Sequence, residues 1–148
     1  MAGIPPLQFT IRALHDTGSD ALTVYDRDMA NLDPMNLYAR GPVQEFETAN
    51  GCINLETLIV ELRLLSPDGL VPIGDWFLER AVIYPDNPVL NPFTGQPVLD
   101  AQGRAMYTDT RLTGSEYKRS FFCATGPFDT RLILSTNKHG ITMNVRAR

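Results

Sequence analysis

The chain has 148 residues and a formal net charge of -4, and its lysines and arginines are scattered along the sequence. A surface that binds nucleic acid usually needs a clustered basic stripe, so we expect no nucleic-acid partner. No apolar run reaches the roughly 20 residues of a membrane span, and the first residues do not resemble a signal peptide. We therefore expect no membrane partner and a cytoplasmic or intracellular location.

The first part of the chain predicts short strands joined by tight turns. Apolar and polar side chains alternate from Leu7 to Ala13, which is typical of a half-buried strand. A polar loop follows over residues 16–20, and residues 26–32 predict one short helical turn.

The middle of the chain predicts a long hairpin over residues 43–65. Asn50-Gly51 separates its two strands, and this dipeptide favours a tight hairpin turn because both turn positions need positive φ. A further strand is expected over residues 76–84. Residues 85–111 contain four prolines and two glycines, which predicts an inserted surface loop.

The last third of the chain predicts one helix and one hairpin. Ser115 is a suitable N-cap for a helix over residues 115–124, and a C-terminal hairpin is expected over residues 131–145. Many short strands with one late helix are typical of a mainly β protein, and we expect a small closed β-barrel. The length and the hydrophobic fraction of 43% fit a single domain over residues 1–148.

The two cysteines, Cys52 and Cys123, lie far apart and in no spacing typical of metal ligands. We expect two reduced and partly buried thiols, with a disulfide between them as the alternative. The sequence predicts no metal site and no cofactor.

Three short motifs carry the functional signal, and each is weak when it is taken alone. Asp16-Thr17-Gly18 follows the first predicted strand, Thr48-Ala49-Asn50-Gly51 forms the predicted hairpin tip, and Leu112-Thr113-Gly114 precedes the predicted helix. Asp, Thr and Gly are also common turn residues, so Asp16 alone is equally typical of a side chain that caps its own turn. In this order, however, the motifs resemble the active-site loop, the flap tip and the hydrophobic-hydrophobic-glycine support of the retropepsin-like aspartic proteases.

The resemblance implies a single-lobe β-barrel of the retropepsin type that is active as a homodimer. One D-T-G motif supplies one carboxylate, so two Asp16 side chains would face each other and share a proton across a lytic water. Thr17 and Gly18 would complete the catalytic loop. Asp20 and the flap residues Ala49, Asn50 and Gly51 would bind an extended polypeptide substrate, and Leu112, Thr113 and Gly114 would support the loop.

The chain departs from the family pattern at two positions near these motifs. His15 stands where the family usually has an aliphatic residue, and Ser115 stands where retroviral members have the arginine that pairs with the loop acid. Lys118 or Arg119 is expected to replace that arginine as the partner of Asp20. Two alternatives remain open: a catalytically inactive retropepsin-like module for dimerisation or peptide binding, and an unrelated β domain in which the motifs are accidental.

Overall fold

The computed structural model describes residues 8–14, 19–48, 51–66, 68–108, 110–125 and 132–137. The elements in chain order are β1 (Leu22–Tyr25), α1 (Asp26–Leu32), β2 (Gln44–Thr48), β3 (Gly51–Leu65), β4 (Pro72–Tyr84), α2 (Tyr117–Ser120), β5 (Phe122–Thr125) and β6 (Leu132–Ser135). The prediction of a mainly β protein is therefore confirmed.

Four strands form one mixed sheet in the order β1-β4-β3-β2. The strand β1 pairs in parallel with β4, whereas β4 with β3 and β3 with β2 are antiparallel pairs. The predicted hairpin over residues 43–65 corresponds to β2 and β3. The long strands form because side chains of β3 and β4 alternate between a buried and a more exposed face along much of their length.

The core lies where β1, β3 and β4 pack against α1. All four residues of β1 are buried, since this strand has β4 on one side and the segment around Leu112 on the other. The main cluster of buried apolar side chains contains Leu22, Val24, Met29, Leu58, Val60, Ala81 and Ile83. The sheet and α1 thus pack together around one apolar core.

A closed barrel is not supported, because β1 and β2 are opposite edges of an open four-stranded sheet in the described part of the chain. The predicted first strand is also reduced to a single bridge between Leu14 and Leu112. Phe9 and Ile11 keep the alternating burial of a strand, but alternation reports burial and does not by itself provide a pairing partner.

The helix predicted over residues 115–124 is too long. The helix α2 has only four residues, and the backbone becomes extended at Phe121, with φ -133 and ψ 144. The residues that follow form β5, which pairs antiparallel with β6. This tertiary pairing overrides a weak helical pattern. The strand β6 therefore pairs with β5, which precedes it in the chain. Residues 138–145 of the predicted C-terminal hairpin lie outside the described residues.

The predicted insertion forms a β arm over residues 85–108. Isolated antiparallel bridges join Pro88 to Tyr107, Leu90 to Pro97 and Leu99 to Ala105. Arg27 of α1 anchors the base of the arm: it donates to the carbonyl of Thr108 at 2.6 Å, and its guanidinium lies 5.2 Å from the ring centroid of Tyr107.

Both cysteines are free and exposed, in place of the partial burial that the sequence predicts. Neither helix in the described part of the chain has the length and apolar character needed to cross a membrane.

Candidate functional site

The segment Arg111–Thr113 lies between the two chain stretches that flank the loop of residues 15–18. Successive peptide groups of an extended chain point to opposite edges. On one edge, Leu14 donates its N–H to the carbonyl of Arg111 at 2.6 Å and accepts the N–H of Thr113 at 2.9 Å. On the other edge, the carbonyl of Leu112 accepts the N–H of Thr23 at 3.0 Å. One short segment thus holds the entry to this loop and the strand that follows it.

Arg111 also fixes this segment to α1 through a buried ion pair. Its Nε and Nη2 donate to the two carboxylate oxygens of Asp28 at 2.8 and 2.7 Å. Asp28 accepts in addition the backbone N–H of Tyr25 at 2.9 Å, which closes the first turn of α1. Burial alone would raise the pKa of Asp28, but hydrogen bonds from Arg111 and from the N–H of Tyr25, with the charges of Arg111 and Arg27, hold it below the ordinary value.

Gly114, at the end of the supporting motif, is packed directly against Glu79 of β4. A methyl group at position 114 would overlap the carboxyl group of Glu79, so a larger residue here would require the Glu79 carboxyl group to move. The Glu79 carboxylate accepts the N–H of Glu116 at 3.0 Å, just before α2 begins. The turn of residues 114–116 is therefore in contact with the sheet at both of its ends.

Asp20 is exposed and lines a cavity of about 540 Å³ that is open to solvent. Ile59, Leu78, Glu79, Arg80, Ser115 and Glu116 line the rest of this cavity. That Lys118 or Arg119 pairs with Asp20 stays a prediction. Arg119 forms an ion pair with Glu116 at 3.0 Å, and the ammonium group of Lys118 lies 5.9 Å from the ring centroid of Tyr117.

The flap-like hairpin tip is described only in part. Gly51 has φ of 110°, a conformation that favours glycine, and its carbonyl accepts the hydroxyl of Thr48 at 2.7 Å. Ala49 and Asn50 lie outside the described residues, as do the predicted catalytic residues Asp16, Thr17 and Gly18. The structure thus describes the residues that are predicted to support the candidate site, Leu112, Thr113 and Gly114, and the two residues that flank the flap tip, Thr48 and Gly51.

Sequence reasoning missed three side chains at this site: Asp28, Arg111 and Glu79. Asp28 and Arg111 are 83 positions apart, so no local pattern connects them. Glu79 did carry a signal, because alternation along β4 puts it on the same face as Phe77 and Ala81. A charged residue on an apolar strand face indicates a buried and partnered group.

Among the described residues, no group of three or more His, Cys, Asp or Glu side chains is arranged to hold a metal ion. Comparison of the chain with protein-family models, with curated proteins and with solved structures gave no match.

Proposed function

We propose that the chain is one subunit of a homodimeric aspartic endopeptidase of the retropepsin-like class. The observation that carries the proposal is the position of Arg111–Thr113, hydrogen-bonded on one edge to Leu14 and on the other to Thr23. A loop that bears a catalytic carboxylate must be held rigidly at both ends, because small displacements of a reacting group cost large factors in rate. This arrangement supports such a role for the loop that contains Asp16.

The proposed chemistry uses the Asp16 carboxyl groups of two chains related by a twofold axis. Two carboxylates at hydrogen-bond distance cannot both be ionised, so they share one proton and titrate as a pair. The ionised group takes a proton from the lytic water while the protonated one donates to the carbonyl oxygen of the scissile peptide bond. Because a chain supplies only one such motif, activity requires the dimer.

The hairpin β2–β3 supports the proposal as the element that would cover the substrate. Its antiparallel register runs without interruption from Gln44 opposite Leu55 to Thr48 opposite Gly51. An extended polypeptide would bind beneath the tip with main-chain hydrogen bonds, and side-chain pockets would select its sequence.

The segment that would support the loop has an anchor of its own in this chain, although position 115 is serine. In this chain Arg111, just before Leu112-Thr113-Gly114, makes a two-point ion pair with Asp28 that ties the supporting segment to α1. A planar guanidinium that binds both carboxylate oxygens restrains orientation as well as distance. Arg111 thus anchors the supporting segment, although it pairs with Asp28 and does not take the place of the arginine that would pair with Asp20.

The test is cleavage of a mixed peptide library between about pH 4 and pH 7, with wild type beside Asp16→Asn at high protein concentration. The proposal predicts that wild type cuts with a bell-shaped pH profile and that the variant does not cut. If both proteins are folded dimers and neither cuts, the protease proposal is wrong. Peptide binding without cleavage under these conditions would instead assign the chain to the inactive modules that bind peptides or dimerise.

A further inference from the structure

Glu79 is a carboxylate on the buried face of β4, beside the segment that supports the candidate loop. Only 2% of Glu79 is exposed, and it is the largest fully buried side chain in the described part of the chain. An ionised carboxylate that loses water needs hydrogen bonds or opposite charges in return. The hydrogen-bond partners of Glu79 therefore indicate its structural role.

Both oxygens of this carboxylate accept backbone N–H groups. Oε1 accepts the N–H of Arg80 at 3.0 Å, which is a contact within β4. Oε2 accepts the N–H of Glu116 at 3.0 Å, which reaches a residue 37 positions away at the start of α2. The same carboxyl group fills the space in which a side chain at Gly114 would otherwise stand. Glu79 thus contacts the beginning of the turn of residues 114–116 and binds its end.

We propose that Glu79 is a positioning residue whose carboxylate holds the turn of residues 114–116 against β4 and thereby fixes the segment Arg111–Thr113, which is hydrogen-bonded to Leu14 and Thr23. Its consequence for catalysis rests on the proposed protease function. Its structural part, the restraint of the turn, does not depend on that function.

The ionised form of Glu79 is the one that restrains the turn. Two N–H donors need two acceptor oxygens, and protonation converts one oxygen into a hydroxyl group, which leaves one good acceptor. The charged groups around it are Arg80 on the same strand, Glu116 at the start of α2 and Asp20 on the wall of the shared cavity. Burial raises the pKa of Glu79 above the ordinary glutamate value, and the two N–H hydrogen bonds only partly offset this.

Protonation gives the restraint of the turn a pH dependence through the loss of an acceptor oxygen, and this effect is separate from global stability, which the raised pKa makes more favourable in acid. Because the folded-state pKa is raised, folding favours the protonated form, and Glu79 takes up its proton at a higher pH than an exposed glutamate. On acidification Glu79 therefore keeps only one good acceptor oxygen for the N–H groups of Arg80 and Glu116, at a higher pH than the one at which ordinary carboxylates titrate. Replacing the Glu79 carboxylate by a neutral amide should therefore change the restraint of the turn strongly at neutral pH and only slightly in acid.

The first experiment compares peptide cleavage by wild type and Glu79→Gln, which has nearly the same shape but only one acceptor oxygen. Near pH 7 we expect kcat to fall about tenfold with KM nearly unchanged, because loop position and not substrate contact is altered. The ratio of the two kcat values should approach one in acid, with its midpoint at the pKa of Glu79 measured by carbon-13 NMR. The matched control is Glu61→Gln, a like change at an exposed position of β3, for which kcat is expected to stay at the wild-type value.

A second variant removes the donor and leaves Glu79 in place. Glu116 has φ of -68°, which matches proline, so Glu116→Pro deletes the N–H with little change at this residue. We expect Glu116→Pro to lower kcat as Glu79→Gln does, and the double variant to be no slower than either. Glu116→Ala keeps the N–H and should lose less activity than Glu116→Pro. Wild-type kcat in folded Glu116→Pro, or an equal loss in Glu79→Gln at every pH, would overturn the proposal.

A readout without catalysis separates this inference from the protease proposal. If wild type cleaves no peptide, the protease proposal fails, and amide hydrogen exchange at Glu116 still measures the restraint of the turn. We expect this amide to be protected in wild type near neutral pH, and less protected both in Glu79→Gln and when Glu79 becomes protonated. Equal protection in wild type and folded Glu79→Gln would overturn the proposal whether or not the protein is a protease.

Discussion

Replacing Arg111 by methionine should be among the most destabilising single changes near the candidate site. The side chains of Arg111 and Asp28 are only 12% and 5% exposed, and two hydrogen bonds join them. Removing one partner of a buried ion pair costs about 3–5 kcal/mol, and because Asp28 keeps the N–H of Tyr25 and the nearby charge of Arg27 we expect a loss toward the lower end of that range. For a domain of this size, such a loss lowers the melting temperature by roughly 10 °C.

The assay is urea unfolding of wild type and Arg111→Met at pH 7 and at about pH 3, and the effect of pH follows from linkage. The folded-state pKa of Asp28 is lowered, so its contribution to stability is present above the ordinary value of 3.8 and is lost as the pH falls through the folded-state pKa. The difference in free energy of unfolding between wild type and Arg111→Met should therefore be smaller at about pH 3 than at pH 7.

The matched control for this prediction is Arg104→Met in the β arm. The Nη2 atom of Arg104 lies 2.9 Å from Oδ2 of Asp100, but the arginine side chain is 76% exposed. The same substitution should therefore leave the free energy of unfolding at pH 7 nearly unchanged. If Arg111→Met costs no more than Arg104→Met at pH 7, the buried ion pair does not anchor the supporting segment and the reasoning is refuted.

Two further predictions concern the core and the thiols. Leu58→Ala, in the main core cluster, should lower the free energy of unfolding by about 2–5 kcal/mol. Phe93→Ala, at a side chain that is 96% exposed, should leave the urea midpoint unchanged. An equal loss of unfolding free energy in both variants would contradict the assigned core. Two thiols per native chain should react with a disulfide reagent, since Cys52 and Cys123 are both free and exposed. Partial burial of its sulfur raises the pKa of Cys123, so this thiol should react more slowly near neutral pH than a thiol with an ordinary pKa. If neither cysteine reacts, the described exposure of the two thiols is contradicted.

The local part of the fold follows from the sequence because its signals are local. Period-two alternation and the turn at Asn50-Gly51 predict the hairpin that becomes β2 and β3, and the strand expected over residues 76–84 lies within β4. The prediction fails where a tertiary partner decides the structure. Residues 122–125 become a strand because β6 pairs with them.

The same distinction between local signals and tertiary partners holds for the candidate site. Leu112-Thr113-Gly114 is visible as a motif, and its contacts with Leu14 and Thr23 are consistent with a supporting segment. The groups that secure this motif are not visible as motifs, because Arg111 meets Asp28, and Glu79 meets Glu116, only through the folded chain. Side-chain identity at one position does not reveal a partner that lies many residues away.

The measurement that tests the central claim most directly is peptide cleavage by mixtures of wild type and Asp16→Asn at constant total protein. If each active site needs one Asp16 from each of two chains, an equal mixture retains about a quarter of the wild-type rate, since only that share of random dimers has two wild-type chains. The account predicts this quadratic dependence on the wild-type fraction. A rate that falls in direct proportion to the wild-type fraction would show that each chain acts alone and would contradict it.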